Sequence, residues 1–192
     1  MTGKGNKVFR PNNRWNILRK SIAVYSFILI LAACTLPRST PTIATEPGNS
    51  QNCYFNWATQ PLPELSAKVM AAINAAGLKG VIAVAETYGE NCIDPQTNKP
   101  VSFAVLETDF QVTVTVTDLS DTTDLGNSLE KILGVLDGLA PGDIPGPQPG
   151  YIFVSYRTGS DELNMSFTVT AGKSARTAGL HGTALLQELQ NK

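Results

Sequence analysis

The chain has 192 residues, and the stretch from Cys34 onward is long enough for one domain of ordinary size with a real core. Fifteen Lys and Arg nearly balance sixteen Asp and Glu overall, but six of the bases fall within the first 20 residues. Residues 35–192 keep nine bases against all sixteen acids, a balance of −7, which argues against nucleic acid as a partner because phosphate neutralisation needs clustered Lys and Arg.

The six early bases are Lys4, Lys7, Arg10, Arg14, Arg19 and Lys20. An apolar run from Ile22 to Leu31 follows, relieved only by Ser26, and then Ala32, Ala33 and Cys34. Basic, apolar and small-residue segments in that order read as an export signal. Leu31-Ala32-Ala33-Cys34 resembles the lipobox of bacterial lipoproteins in all four of its positions. That resemblance covers the leader only. It implies a diacylglyceryl group on the Cys34 thiol, cleavage before Cys34, and often acylation of the new amino group. Two or three acyl chains anchor stably where one binds only reversibly. The alternatives are plain secretion with a cut at the same place, or an uncleaved membrane helix. Counted through Ala33 the apolar run has 12 residues, against the ~20 of a spanning helix. Thr35 is not the Asp that resembles an inner-membrane retention mark in some bacteria, so the cell membrane and the outer membrane both stay open. An acidic domain is repelled by anionic headgroups, so the lipid has to hold it.

With Cys34 assigned to lipid, Cys53 and Cys92 remain as a pair, expected as a disulfide in an oxidising compartment. A redox or metal role fits less well, since there is no Cys-x-x-Cys and only one His. The expected division is a signal peptide at 1–33, the lipidated Cys34 with a Pro/Thr/Ser-rich tether at 34–51, and a single α+β domain at 52–192. Three prolines and many hydroxyls at 35–50 leave almost nothing to bury.

In chain order, Pro63–Ala76 reads as a helix, with Pro63 in the first turn and Gly77 at the C-terminal cap. Val81–Tyr88 is apolar on both faces, a central strand, and Gly89–Pro100 is expected as a long polar connection. Val101–Thr117 is the longest strand signal. Phe110, Val112, Val114 and Val116 alternate with polar residues, whereas Val101, Phe103 and Val105 have the opposite phase. The reversal predicts a bulge or bend among Leu106–Asp109. Asp118–Asp124 supplies capping residues for a helix at Asp124–Leu139. Ala140–Gly150, with four prolines and three glycines, is expected to be irregular. Tyr151–Arg157 and Leu163–Thr170 form a hairpin around Thr158–Asp161. Ser174–Leu189 closes the chain as a helix weakened by Gly179 and Gly182. The expected fold is an α+β two-layer sandwich in the order α-β-β-α-β-β-α, with about four mainly antiparallel strands and two or three helices.

Several motifs bear on chemistry. Gly172-Lys173-Ser174 suggests a phosphate loop, but the required earlier Gly is Phe167; Ser174 is expected as a helix cap instead. Glu86, Glu90, Glu107 and Asp109 would converge if their strands pair, and two carboxylates at roughly 5–9 Å suit glycoside hydrolysis. The competing reading is solvated positions near a sheet end. Glu86, Glu107 and Asp109 are therefore weak ligand or catalytic candidates. Asp118, Asp121 and Asp124 lack the spacing of a calcium loop. His181 has no Ser or Cys motif aimed at it and reads as exposed surface. The 140–150 loop with Tyr151 is either a recognition loop or a stiff crossover. No metal or cofactor is expected. The chain is thus expected to be a membrane-anchored, extracytoplasmic, non-catalytic binding, scaffolding or envelope-assembly domain. The alternative is a carboxylate-dependent hydrolase, and a weaker third reading is a regulatory domain. Partners are the membrane through the lipid and an envelope protein, with any small-molecule ligand unspecified.

Overall fold

A computed structural model of the chain describes residues 52–192; the leader, Cys34 and the tether lie outside the described residues. The elements are β1 (Tyr54–Pro61), α1 (Pro63–Ala75), β2 (Val81–Asp94), β3 (Lys99–Thr115), α2 (Thr122–Asp137), a 3-10 turn (Pro141–Asp143), β4 (Gln148–Thr158), β5 (Asp161–Thr168), α3 (Val169–Thr177) and α4 (Gly182–Gln190). The five strands form one mixed sheet in the order β1-β2-β3-β4-β5. All neighbours are antiparallel except β3 and β4, which are parallel and joined through α2. A parallel pair needs such a crossover.

Alternation along the strands sorts the sheet into a covered and a bare face. Val81, Ala83 and Ala85 of β2 are buried in one cluster with Phe110, Val112 and Val114 of β3, Ile152, Val154 and Tyr156 of β4, and Phe167 of β5. The helices complete it with Val69 and Ile73 of α1, Leu125, Leu129 and Ile132 of α2, and Leu185, Leu186 and Leu189 of α4. The result is a two-layer α+β fold.

Local chemistry sets the joints. Pro63 opens α1, and Gly77 at φ +86° ends it. The Ser66 hydroxyl donates to the Leu62 carbonyl and accepts the Ala85 N–H, both at 2.8 Å, pinning α1 to β2. The Asp121 carboxylate caps α2 by accepting the N–H groups of Thr123 and Asp124. The buried Tyr156 hydroxyl donates to the Leu125 carbonyl at 2.9 Å. Burial first, and the charge of Asp124 second, hold its pKa far above the usual tyrosine value.

The expected bulge is present. Tyr88 pairs with Glu107 and Gly89 with Val105, which leaves Leu106 as the extra residue. The strand pairs β2–β3 and β4–β5 are antiparallel as expected, and Gly159 at φ +57° makes the second hairpin's turn.

Five expectations are corrected. Tyr54–Pro61 is a fifth strand: it lies at the sheet edge with seven of its eight residues exposed, so it carries no burial alternation to read. Gly89–Asp94 and Lys99–Pro100 are strand rather than connection, closed by a short turn at 95–98. Gln148–Gly150 belongs to β4, and Pro141–Asp143 is a 3-10 turn, so 140–150 is only partly irregular. The terminal helix is two helices, broken where Gly179 and Gly182 take φ +77° and +50°. Ser174 falls inside α3, whose N-cap is Thr168 accepting the Ala171 N–H at 3.0 Å.

The sheet is staggered. β4 joins β3 over 107–115, whereas β1 joins β2 over 86–93. One half is backed by helices; the other is a three-stranded arm of β1 with the far ends of β2 and β3. The Cys53–Cys92 disulfide closes the arm at its free end, as expected for this pair. Phe103 lies over Gly89, where an added Cβ would meet its ring at 3.0 Å.

Candidate functional site

The bare face brings the three candidate carboxylates together. Glu86 of β2 is the register partner of Asp109 on β3, and Tyr88 is the partner of Glu107, so all four side chains occupy neighbouring positions on one face. Glu90 continues the same face two residues on, opposite Trp57 of β1.

Two of the three already have hydrogen-bond partners within the chain. Glu86 accepts from the Gln111 side-chain amide at 2.7 Å. Asp109 accepts the Tyr151 backbone N–H at 2.7 Å, at the register shift between β3 and β4. An added Cβ at Gly150 would stand 2.6 Å from that carboxylate oxygen and 2.1 Å from the Thr108 carbonyl oxygen, so only glycine permits the approach. Glu107 differs: partial burial, and then the charge of Asp109, raise its pKa above the ordinary carboxylate value.

Aromatic side chains flank this acidic strip. On the arm side Trp57 stacks on Tyr88, with centroids 5.3 Å apart and planes 11° from parallel, and Phe55 follows on the same face. On the β4 side Tyr151 and Phe153 lie 6.2 Å apart. An open concavity of about 590 Å³ covers the β2–β5 part of the face, lined by Glu86, Asp109, Gln111, Phe153, Arg157 and Asn164 among others. At its far edge Glu162 accepts from the Ser155 hydroxyl and from Arg157. Those bonds, the Ser155 hydroxyl first, hold its pKa below the usual range.

The remaining candidates serve the fold. Asp121 caps α2, and Asp118 accepts from the Ser120 hydroxyl and backbone N–H, which lowers its pKa. The exposed His181 imidazole lies 2.9 Å from Glu130. The 140–150 loop is pinned at two points: Asp143 pairs with Lys68 of α1, and the Pro145 carbonyl accepts the Thr108 hydroxyl at 2.6 Å. Among the described residues no three His, Cys, Asp or Glu side chains are grouped to hold a metal ion, and no buried side-chain N or O lacks a hydrogen-bond partner. No described helix is long and apolar enough to cross a membrane.

Of the aromatic flanks, the sequence singles out only Tyr151, at the end of the 140–150 loop. Trp57 and Phe55 sit on the unrecognised edge strand, though the close spacing of Tyr54, Phe55 and Trp57 was a usable signal. Phe153 falls within the strand expected at Tyr151–Arg157, and the structure puts it on the exposed face.

The class these features define is a two-layer α+β domain whose sheet is backed by helices on one side and bare, aromatic and acidic on the other. Comparison with protein-family models, with curated proteins and with solved structures finds no match.

Proposed function

We propose that this chain is a lipoprotein held at Cys34 outside the cytoplasm, whose domain at 52–192 is a non-catalytic binding module that presents its bare sheet face to an envelope partner. The observation that carries the binding reading is the open face itself. Large apolar side chains, among them Ile82, Val84, Tyr151 and Phe153, stay exposed there beside polar ones. A mixed aromatic and polar surface of this kind is suited to recognition. The anchor rests on the lipobox resemblance, and the disulfide is consistent with an oxidising compartment.

The hydrolase reading keeps one observation in its favour, the raised pKa of Glu107 beside Asp109. Against it, Asp109 is committed to a backbone N–H and Glu86 to Gln111, in a wide concavity rather than a closed cleft.

Site-specific photocrosslinking in cells tests the module. A crosslinker at Phe153 is expected to give a discrete adduct that one at Lys131, on the helix side, does not. No adduct from Phe153, or the same adducts from both sites, rejects the binding face.

A further inference from the structure

We infer that the free end of the arm is a membrane-docking surface, seated in the interfacial zone of a zwitterionic bilayer. The inference rests on the proposed lipid anchor at Cys34 and adds a second, non-covalent contact.

The arm concentrates exposed apolar side chains at one end of the molecule. Phe55 is 64% exposed, Trp57 57%, Tyr54 47% and Val101 42%. Phe55 and Trp57 are on the bare face, and Tyr54 on the reverse; Val101 is the extra residue at the register shift near the hairpin end. From the Pro61–Glu86 pair to the Tyr54–Ile93 pair is seven residues, or roughly 23 Å of strand. These side chains therefore stand away from the helix-backed core rather than over it.

The point where the described chain begins decides the occupant. Asn52 and Cys53 lie at that same end, and the disulfide to Cys92 fixes them there. Seventeen residues separate Cys34 from Asn52, a span of at most roughly 60 Å. A lipid on Cys34 thus tethers the domain through its arm end and holds that end within roughly 60 Å of the bilayer, where a second contact becomes effectively intramolecular. Trp and Tyr suit that depth, because each has an apolar ring and a polar tip, and both are enriched at bilayer interfaces. Charge selects the lipid: residues 52–192 carry fifteen acids and eight bases, so a zwitterionic headgroup is accepted where an anionic one is repelled.

Trp57 is the only tryptophan from Cys34 onward, the other being Trp15 in the leader, so it reports on its own surroundings. The test uses the lipid-modified chain reconstituted into phosphatidylcholine vesicles, with acyl chains brominated near the headgroup. Trp57 emission is expected to be quenched by the brominated lipid, and iodide quenching to fall several-fold relative to detergent solution. Phe55→Ser is expected to weaken both effects, whereas Met70→Ser, on the exposed side of α1, leaves them unchanged. Full iodide access with lipid present on Cys34 overturns the docking surface while leaving the anchor intact. Protection from iodide without bromine quenching also overturns it, in favour of a protein or a second copy covering the arm. A chain that carries no lipid at Cys34 overturns both proposals together.

Discussion

Asp109 accepts the backbone N–H of Tyr151 at 2.7 Å and so fills the gap left by the register shift between the two parallel strands at the centre of the sheet. A carboxylate used in this way has a structural duty that a nucleophile or base in the same place would have to abandon. Asp109→Ala removes the partner of that N–H and opens it to water, and is expected to cost about 0.5–1.5 kcal/mol. Asp109→Asn, which keeps an acceptor oxygen, is expected to cost less. Urea denaturation of the three proteins measures the difference, and an Asp109→Ala protein as stable as the wild type contradicts the assignment.

Gly126 of α2 lies so close to the start of α4 that a Cβ would fall 2.2 Å from the Gly182 carbonyl carbon and oxygen. Both partners are backbone, so neither yields as a flexible side chain does. Gly126→Ala is expected to destabilise by about 1–3 kcal/mol through overpacking, despite the better helix propensity of alanine. Gly142→Ala, where nothing lies within 4 Å, serves as the control and is expected to be near neutral.

The Cys53–Cys92 bond closes a loop with a sequence separation of 39. On the chain-entropy model its loss costs roughly 4 kcal/mol. Replacing both cysteines with serine is expected to lower the urea midpoint accordingly. Hydrogen exchange is expected to rise first in β1, an exposed edge strand paired on one side only.

Glu107 provides a pH signature. Its pKa in the folded chain is raised by partial burial and by Asp109, so the folded state holds the proton more firmly than the unfolded state does. The contribution to stability is therefore full below the ordinary carboxylate value and is lost as pH rises through the folded pKa. Glu107→Gln removes the cost of ionising the group, so the variant is expected to melt above the wild type near neutral pH and to converge with it in acid. Melting curves across that range check the sign, and a variant that melts below the wild type at neutral pH contradicts it.

Legibility in the sequence followed burial. Phe110, Val112 and Val114 alternate because one face of β3 is core, and the reversed phase of Phe103 and Val105 located the bulge that Leu106 occupies. Pairing of Glu86 with Asp109 could be anticipated for the same reason. β1 shows no alternation because an edge strand exposed on both faces imposes no period on its residues, which leaves its cluster of aromatics as the one signal. The break between α3 and α4 depended on left-handed glycines at 179 and 182, which in sequence only weaken a helix. The helix cap fell to Thr168 rather than Ser174, because β5 ends earlier than its hydrophobic alternation does.

Metabolic labelling with radioactive palmitate tests the anchor most directly. Label is expected to enter the wild-type chain and to be abolished by Cys34→Ser, with the precursor accumulating uncut. Absence of label from the wild type, or equal incorporation into the Cys34→Ser chain, contradicts the lipoprotein assignment.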